Sequence, residues 1–131
     1  MRKYECNDGW EKLYQPIVDE INEHDNNVQN EEDKIGIFQI KEKWGGLRIY
    51  VKNKKNLSDE LRNKIREAEL ESMKTCEFCG TKENVGMTMN NWITTCCEKC
   101  WREKILSNKY LKFSTWRNNE TNEKINSTDL K

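Results

Sequence analysis

Five cysteines lie in two short groups in the second half of the chain. The first group, TCEFCG, contains Cys76 and Cys79, and the second, TTCCEKCWREK, contains Cys96, Cys97 and Cys100. Two residues between a pair of cysteines let the chain turn back, so that both thiolates can reach one metal ion. Structural zinc takes four such ligands in a tetrahedron. The spacing therefore predicts a zinc site, and it offers one cysteine too many.

The spacing also indicates which cysteine is the extra one. Cys97 and Cys100 repeat the two-residue gap of Cys76 and Cys79, whereas Cys96 and Cys100 would have three residues between them. Cys96 instead continues the strand-like run WITTC, where a free cysteine acts as a small buried apolar residue. The predicted ligands fill all four positions with thiolates, which favours structural over catalytic zinc. These predicted ligands are Cys76, Cys79, Cys97 and Cys100.

Few residues suit catalytic chemistry. His24 is the single histidine, in a polar stretch, and Cys6 is predicted to be a partly buried free thiol. Nucleases of the ββα-metal type need histidines as base and metal ligands, and none follows residue 75. The H-x-E signature of zinc deaminases and a Gly-rich phosphate loop are both absent from the sequence. We therefore expect no enzyme and no small-molecule substrate.

The composition favours a metal-stapled cytoplasmic protein. Of the 131 residues, 34% are hydrophobic and 35% are charged, so the apolar core must be thin and a metal staple would support it. The opening MRKYECNDGW has no apolar signal-peptide region, and C-x-x-C pairs are too close for ordinary disulfides. We expect a reducing compartment, hence the cytosol, and no membrane span, since no apolar run approaches 18 residues.

Helical periodicity marks two segments ahead of the cysteines. DGWEKLYQPIVDEINEH carries apolar residues at helical spacing, with Asp8 and Glu11 placed as a capping box and Pro16 expected to kink the helix. LSDELRNKIREAELESMK has Ser58 as an expected N-cap and a narrow apolar stripe. That stripe consists of Leu61, Ile65 and Ala68.

Between these helices, KIGIFQIKEKWGGLRIYVKN predicts a β-hairpin that turns at Gly45-Gly46. In that register Lys43 faces Arg48 and Trp44 faces Leu47. One face is then core, with Glu42 its misfit; its other members are Phe38, Ile40, Trp44, Leu47, Ile49 and Val51. The second face is mostly polar and holds Ile37, Gln39, Lys41, Lys43, Arg48, Tyr50 and Lys52.

The predicted fold class is α+β in three parts. Residues 1–75 form an α-β-β-α segment, residues 76–113 a zinc unit packed on it, and residues 114–131 a polar, disordered tail. Within the zinc unit, a knuckle, a hairpin around Asn90-Asn91 and a C-terminal helix over residues 98–110 follow in the order of a treble clef; a zinc ribbon is the alternative.

Several motifs together resemble a family of small zinc-binding proteins encoded by bacteriophages and prophages. The family shows an early C-x-D-G-W, a hairpin like KEKFGGLRFY, and two cysteine pairs. The first matching stretch here is CNDGW, which begins at Cys6, and the second is KEKWGGLRIY at residues 41–50. The two cysteine pairs lie in the matching segments 66–80 and 92–100, so the resemblance covers about residues 6 to 100. It implies a mobile-element origin and a zinc-binding fold, but no established activity.

Charge is unevenly distributed although the net charge is zero. Residues 1–33 carry ten acidic and three basic side chains, and residues 34–56 carry one acidic and seven basic. A charged partner would explain this asymmetry, and so would pairing of the two blocks with each other or lysines that deter sheet-to-sheet association. The candidate partner-binding residues are Lys41, Lys43, Arg48, Tyr50 and Lys52.

Two functions from different classes fit these features. The first is a phage or prophage accessory protein that binds a host protein, in particular an inhibitor of an antiphage defence nuclease such as a CRISPR effector. The second is a zinc protein that binds DNA or RNA in phage transcription or replication, with Tyr50 stacking on bases between phosphate-binding cations. The zero net charge weighs against the second, since non-specific affinity grows with the phosphates neutralised.

Overall fold

The computed structural model describes residues 4–88, 93–105 and 113–115. The fold is mixed α+β, as predicted: helices and a first sheet are followed by a four-cysteine cluster and a short C-terminal helix. In chain order the elements are β1 (Tyr4–Glu5), α1 (Glu11–Asn26), β2 (Ile37–Lys43), β3 (Gly46–Val51), α2 (Asp59–Ser72), β4 (Val85–Thr88), β5 (Thr95–Cys97), α3 (Glu98–Cys100) and β6 (Phe113–Thr115). Within the described ranges, every helix is too short or too polar to cross a bilayer.

Helix α1 forms because its apolar residues recur at helical spacing. Its buried face consists of Tyr14, Ile17, Val18 and Ile21. Pro16 lies inside the helix, as expected from the sequence. The predicted capping box is wrong: a 3₁₀ turn, Asp8–Trp10, precedes the helix, and Trp10 occupies the N-cap position without a side-chain hydrogen bond.

The first sheet has the order β1-β2-β3, with β1 parallel and β3 antiparallel to β2. The hairpin exists, but its register differs from the prediction by two residues. Lys41 lies opposite Arg48 and Lys43 opposite Gly46, so the predicted Lys43–Arg48 pair is wrong. Trp44 and Gly45 are the central turn residues, and both have positive φ, 58° and 80°.

A β-bulge in β2 explains why the predicted faces are wrong at the start of this strand. Ile37 pairs with Val51 and Gln39 with Tyr50, so Phe38 is the extra residue in β2. Phe38 is consequently 56% exposed, whereas Ile37 and Gln39 are buried, which reverses their predicted faces.

The predicted core face of the hairpin is correct on β3 and at Ile40 of β2. Ile40, Leu47, Ile49 and Val51 are all buried. The turn residue Trp44 is 68% exposed and is therefore not the core residue that the sequence predicted.

Helix α2 begins as the sequence predicts. The side chain of Ser58 caps it by accepting a 3.0 Å hydrogen bond from the amide of Leu61. Leu61 and Ala68 are buried in the hydrophobic core that α2 shares with α1 and the first sheet, and Ile65 is partly buried against that core. These three residues form the predicted apolar stripe.

Helix α2 also covers the outer edge of the first sheet. The Ser72 hydroxyl accepts a 2.8 Å hydrogen bond from the amide of Leu47. The Glu69 carboxylate accepts a 2.9 Å hydrogen bond from the amide of Ile49. Side chains of α2 thus satisfy backbone donors that β3, as an edge strand, cannot pair within the sheet.

The second sheet has the order β5-β4-β6 and belongs to the cysteine-rich part. Strand β6 was not predicted, and it extends past the boundary at residue 114 that separated the zinc unit from the tail. The helix that follows β5 begins at Glu98, as expected, and continues as π-helical turns over Trp101–Ile105. The predicted turn at residues 90–91, helical residues 106–110 and the tail from residue 116 lie outside the described residues.

Candidate functional site

The sulfur atoms of four cysteines form one cluster at the start of the second unit. The Sγ atoms of Cys76, Cys79, Cys97 and Cys100 all lie within 4.8 Å of one another. The Sγ atoms of Cys79 and Cys97 are 3.7 Å apart. Tetrahedral zinc with Zn–S bonds of about 2.3 Å requires sulfurs about 3.8 Å apart. The donor set and its spacing therefore fit a zinc ion, and these are the four residues that the C-x-x-C spacing predicts.

A tight turn of backbone places the first two sulfurs. The amide of Gly80 donates a 3.0 Å hydrogen bond to the carbonyl of Cys76, and Gly80 has a φ of 83°, in the left-handed region that glycine tolerates best. The amides of Phe78 and Cys79 each lie 3.4 Å from the Cys76 sulfur. This arrangement has the backbone geometry of a zinc knuckle, in which amide donors stabilise a thiolate.

The second pair stands where β5 meets α3. Cys97 is the N-cap of α3, and its sulfur accepts a hydrogen bond from the amide of Cys100 at 3.4 Å. Strand pairing of Cys97 with Val85 fixes its distance from the knuckle. The cluster is thus built from a turn, a strand end and the first turn of a helix, the order of a treble clef.

The environment of the cluster favours the thiolate form of Cys76. Burial alone would raise the pKa of Cys76, but amide hydrogen bonds from Cys79, Cys97 and Phe78 outweigh it and lower that pKa below its ordinary value. Burial raises the pKa of Cys100, as do hydrogen bonds with the neighbouring thiols. Sulfurs this close cannot all hold a negative charge without a cation between them.

Cys96 stays outside the cluster. It is fully buried in β5, where it pairs with Gly86. Burial, followed by repulsion from the thiolates of Cys76 and Cys97, raises the pKa of Cys96 to about 12. Cys96 is therefore a buried neutral thiol, as the sequence predicts for the extra cysteine.

Cys6 is a partly buried free thiol, also as predicted. Burial, followed by repulsion from Glu77, Asp8 and Glu42, raises its pKa to about 12. A thiol with so little thiolate at neutral pH is a poor nucleophile.

The segment just after Cys6 packs directly on the knuckle. The amide of Gly9 donates a 2.7 Å hydrogen bond to the carbonyl of Glu77, and the indole Nε1 of Trp10 donates a 2.8 Å hydrogen bond to the carbonyl of Thr75. The backbone amide and the side-chain amide of Asn7 both donate to the Glu77 carboxylate. A Cβ on Gly9 would lie 2.3 Å from the Cys76 carbonyl oxygen, so only glycine fits there. Sequence reasoning missed this contact, although the C-x-D-G-W motif marks the segment.

The turn of the hairpin contacts Thr95 of β5, which is itself hydrogen-bonded to the knuckle. The Thr95 hydroxyl donates to the carbonyl of Gly45, while the carbonyl of Thr95 accepts a 3.0 Å hydrogen bond from the amide of Glu77. A Cβ on Gly45 would come within 2.8 Å of the Ile93 side chain. The cysteine-rich part is therefore contacted both by the chain ahead of α1 and by the β2–β3 turn.

The predicted partner-binding residues are only partly brought together. Lys41 and Arg48 are cross-strand neighbours, and the Lys41 Nζ lies 5.7 Å from the centre of the Tyr50 ring. Lys43 is exposed at the end of β2. The stem of Lys52 instead packs beside Gly36, within 3.1 Å of where a Cβ would lie. Three of the five residues thus share one patch of the sheet.

Acidic residues near the start of the chain do not neutralise this patch through ion pairs. In the part of the chain that the structure describes, a single ion pair joins residues 1–33 to residues 34–56, between Glu31 and Lys34 at 3.4 Å. Glu5 lies opposite Lys41 in the sheet register, but its carboxylate contacts the Gln39 amide. Among the described residues, ion pairs between the acidic and the basic block therefore do not explain why charge is distributed unevenly along the chain.

Comparisons with known proteins return nothing for this chain: no family model, no curated protein and no solved structure matches it.

Proposed function

We propose that this chain is a non-enzymatic binding protein whose second unit is held by a structural zinc ion. The observation that supports zinc is the cluster of four sulfurs within 4.8 Å of one another. Bound zinc would cross-link knuckle, strand and helix where the apolar core is small. Cys76, Cys79, Cys97 and Cys100 would occupy all four positions, which leaves none for a substrate or a catalytic water.

We propose the β2–β3 turn as the surface that contacts a partner. Trp44 is 68% exposed and has a φ of 58°. Positive φ at both central turn residues is the geometry of a type I′ turn, in which asparagine and glycine are preferred. A bulky residue in that conformation costs about 1–2 kcal/mol. An exposed tryptophan kept at that cost supports a binding role, because tryptophan is enriched at the centres of protein interfaces.

The partner we propose is a host protein. The resemblance to phage and prophage proteins supports an accessory factor that works in the cytoplasm of a bacterial host. Inhibition of an antiphage defence nuclease, such as a CRISPR effector, is the specific form of this proposal. A small rigid protein suits such a role, because preorganised surfaces lose little entropy on docking.

The substitution Trp44→Asn tests the docking surface. Because Asn-Gly is favoured in this turn, the variant should unfold at a higher temperature than the unchanged protein. It should also fail to capture, from nuclease-treated host lysate, any protein that the tagged unchanged chain captures. Phe38→Ala is the matched control, since Phe38 is a 56% exposed aromatic residue away from the turn.

Two results would contradict this proposal. One is equal capture by the unchanged chain and the Trp44→Asn variant. The other is equal loss of capture in Trp44→Asn and Phe38→Ala, because exposed aromatic area in general would then explain the binding.

Nucleic-acid binding is the second candidate function. The observation that favours it is the direct pairing of two cations, Lys41 and Arg48, beside Tyr50. Like charges in a cross-strand pair are destabilising, and a bound phosphate would relieve their repulsion. Changing Lys41, Lys43 and Arg48 to glutamate should abolish any salt-dependent binding of DNA or RNA. Binding that survives these changes would contradict this second function.

A further inference from the structure

A groove lies between β3 and α2. It encloses about 420 Å³, with β3 residues on one wall and α2 residues on the other. Its charged and aromatic lining consists of Arg48, Tyr50, Lys54, Arg62, Arg66 and Glu69.

The α2 wall is basic because of helical spacing. Arg62 and Arg66 are one turn apart, so both side chains stand on the face of α2 that borders the groove. The sequence analysis considered only the apolar stripe of this helix and did not notice that its basic residues would meet Arg48 and Tyr50 from the hairpin.

The cations of this groove have no acidic partners among the described residues. Arg48, Lys54, Arg62 and Arg66 form none of the ion pairs found there. Arg62 donates to the backbone carbonyl of Lys54 at 2.6 Å, and Arg48 to that of Leu47 at 3.0 Å. These contacts orient the guanidinium groups but leave their charges uncompensated.

Glu69 is the one acid in the lining, and its position is fixed. One of its oxygens accepts the hydrogen bond from the Ile49 amide at the strand edge. With four cations and one anion, the lining of the groove is net positive, and low-dielectric walls concentrate the field of such charges.

We propose that this groove binds the phosphate backbone of single-stranded nucleic acid, with a base stacked on Tyr50. Arginine matches phosphate through two parallel N–H···O bonds, and an aromatic ring beside such cations is how single strands are held without sequence preference. Duplex bases are already stacked and cannot reach the ring. This inference rests on the second candidate function and gives it a location.

The test uses the zinc-loaded full chain and a fluorescent single-stranded DNA of about 12 nucleotides, the length scale of one such site. Arg66→Ala should weaken binding about five- to tenfold and reduce the slope of log K against log salt by about 0.7. Tyr50→Leu should weaken binding about tenfold. The matched control is Lys64→Ala, which removes the same charge from the same helix but at a residue paired with Glu20.

Four results would overturn the groove. Equal losses in Arg66→Ala and Lys64→Ala would show only general charge attraction. A duplex of the same length that binds more tightly, or a polyglutamate peptide that displaces the DNA at equal charge, would exclude a single-strand site, and so would no binding by the unchanged chain. Capture of a host protein that is lost in Trp44→Asn but kept in Arg66→Ala would show that the docking proposal stands even where the groove fails.

Discussion

The backbone amide of Gly9 donates a 2.7 Å hydrogen bond to the carbonyl of Glu77, which lies between the two cysteines of the first C-x-x-C pair. The two backbones are so close that a Cβ on Gly9 would lie 2.3 Å from one carbonyl oxygen and 2.4 Å from the next. The start of the chain and the cysteine cluster therefore depend on each other for their conformation, although they belong to different halves of the sequence.

Gly9→Ala should destabilise the zinc-loaded protein by about 2 kcal/mol or more, because backbone rather than a flexible side chain must move to admit the methyl group. It should also weaken zinc binding, since the displaced carbonyls belong to the knuckle. Thermal unfolding and competition with a zinc chelator measure the two effects. Asp8→Ala, an exposed change next to Gly9, is the control, and a Gly9→Ala protein as stable as this control would refute the argument.

Cys97→Ser should abolish stoichiometric zinc, whereas Cys96→Ser should retain one zinc per chain. Cys97 belongs to the sulfur cluster, and Cys96 is buried outside it. Native mass spectrometry counts the metal directly. Zinc retained in Cys97→Ser and lost in Cys96→Ser would reverse the ligand assignment.

Cys6 should resist alkylation in the folded protein. Burial and nearby carboxylates raise its pKa to about 12, so at pH 8 its thiolate fraction is about a thousandfold below that of a thiol with pKa 9. Because the pKa of Cys6 is higher in the folded chain than the ordinary value of 9.0, the free energy of unfolding decreases as pH rises from about 9 to about 12 and is unaffected at neutral pH. Peptide mapping after iodoacetamide treatment, with and without denaturant, measures the ratio; fast labelling of native Cys6 would contradict it.

Asp25→Asn should cost about 1–3 kcal/mol at pH 7, because one carboxylate accepts the amides of both Ile35 and Gly36, at 2.8 and 2.9 Å. Burial alone would raise the pKa of Asp25, but hydrogen bonds from His24 and these amides outweigh it and lower that pKa. A lowered pKa means stability that is present above the unfolded value of about 3.9 and is lost as pH falls through the folded value.

The Asp25→Asn difference in unfolding free energy should therefore shrink as pH falls below about 4. Urea unfolding at several pH values measures it. Asp33→Asn, a change at an exposed residue, is the control that removes the same charge. A difference that already shrinks at pH 6 would show that another group is responsible.

Some of this structure follows from local rules that the sequence displays. The two-residue cysteine spacing is enough to predict which four sulfurs meet, since it constrains the chain only over a few bonds. The Ser58 cap and the apolar stripe of α2 are local in the same sense. Each of these features can be predicted from residues that are close together in the sequence.

The hairpin register could not be obtained in that way, because its two glycines serve different contacts. Gly45 provides positive φ in the turn and passes close to Ile93. Gly46 lies beyond the turn, where a Cβ would come 2.8 Å from the sulfur of Met73. Reading both glycines as the turn shifted every pair by two residues, and the bulge at Phe38 then reversed the start of β2.

The contact between Gly9 and Glu77 also dictates an order of events during synthesis. The N-terminal residues leave the ribosome first, but the sulfur cluster to which the knuckle belongs lacks half of its sulfurs until Cys97 and Cys100 have been made. Helix α1 can form early, yet its leading turn has nothing to dock on. The contact between these two distant segments therefore closes late in synthesis, and a metal ion held by the four sulfurs would fix it in place.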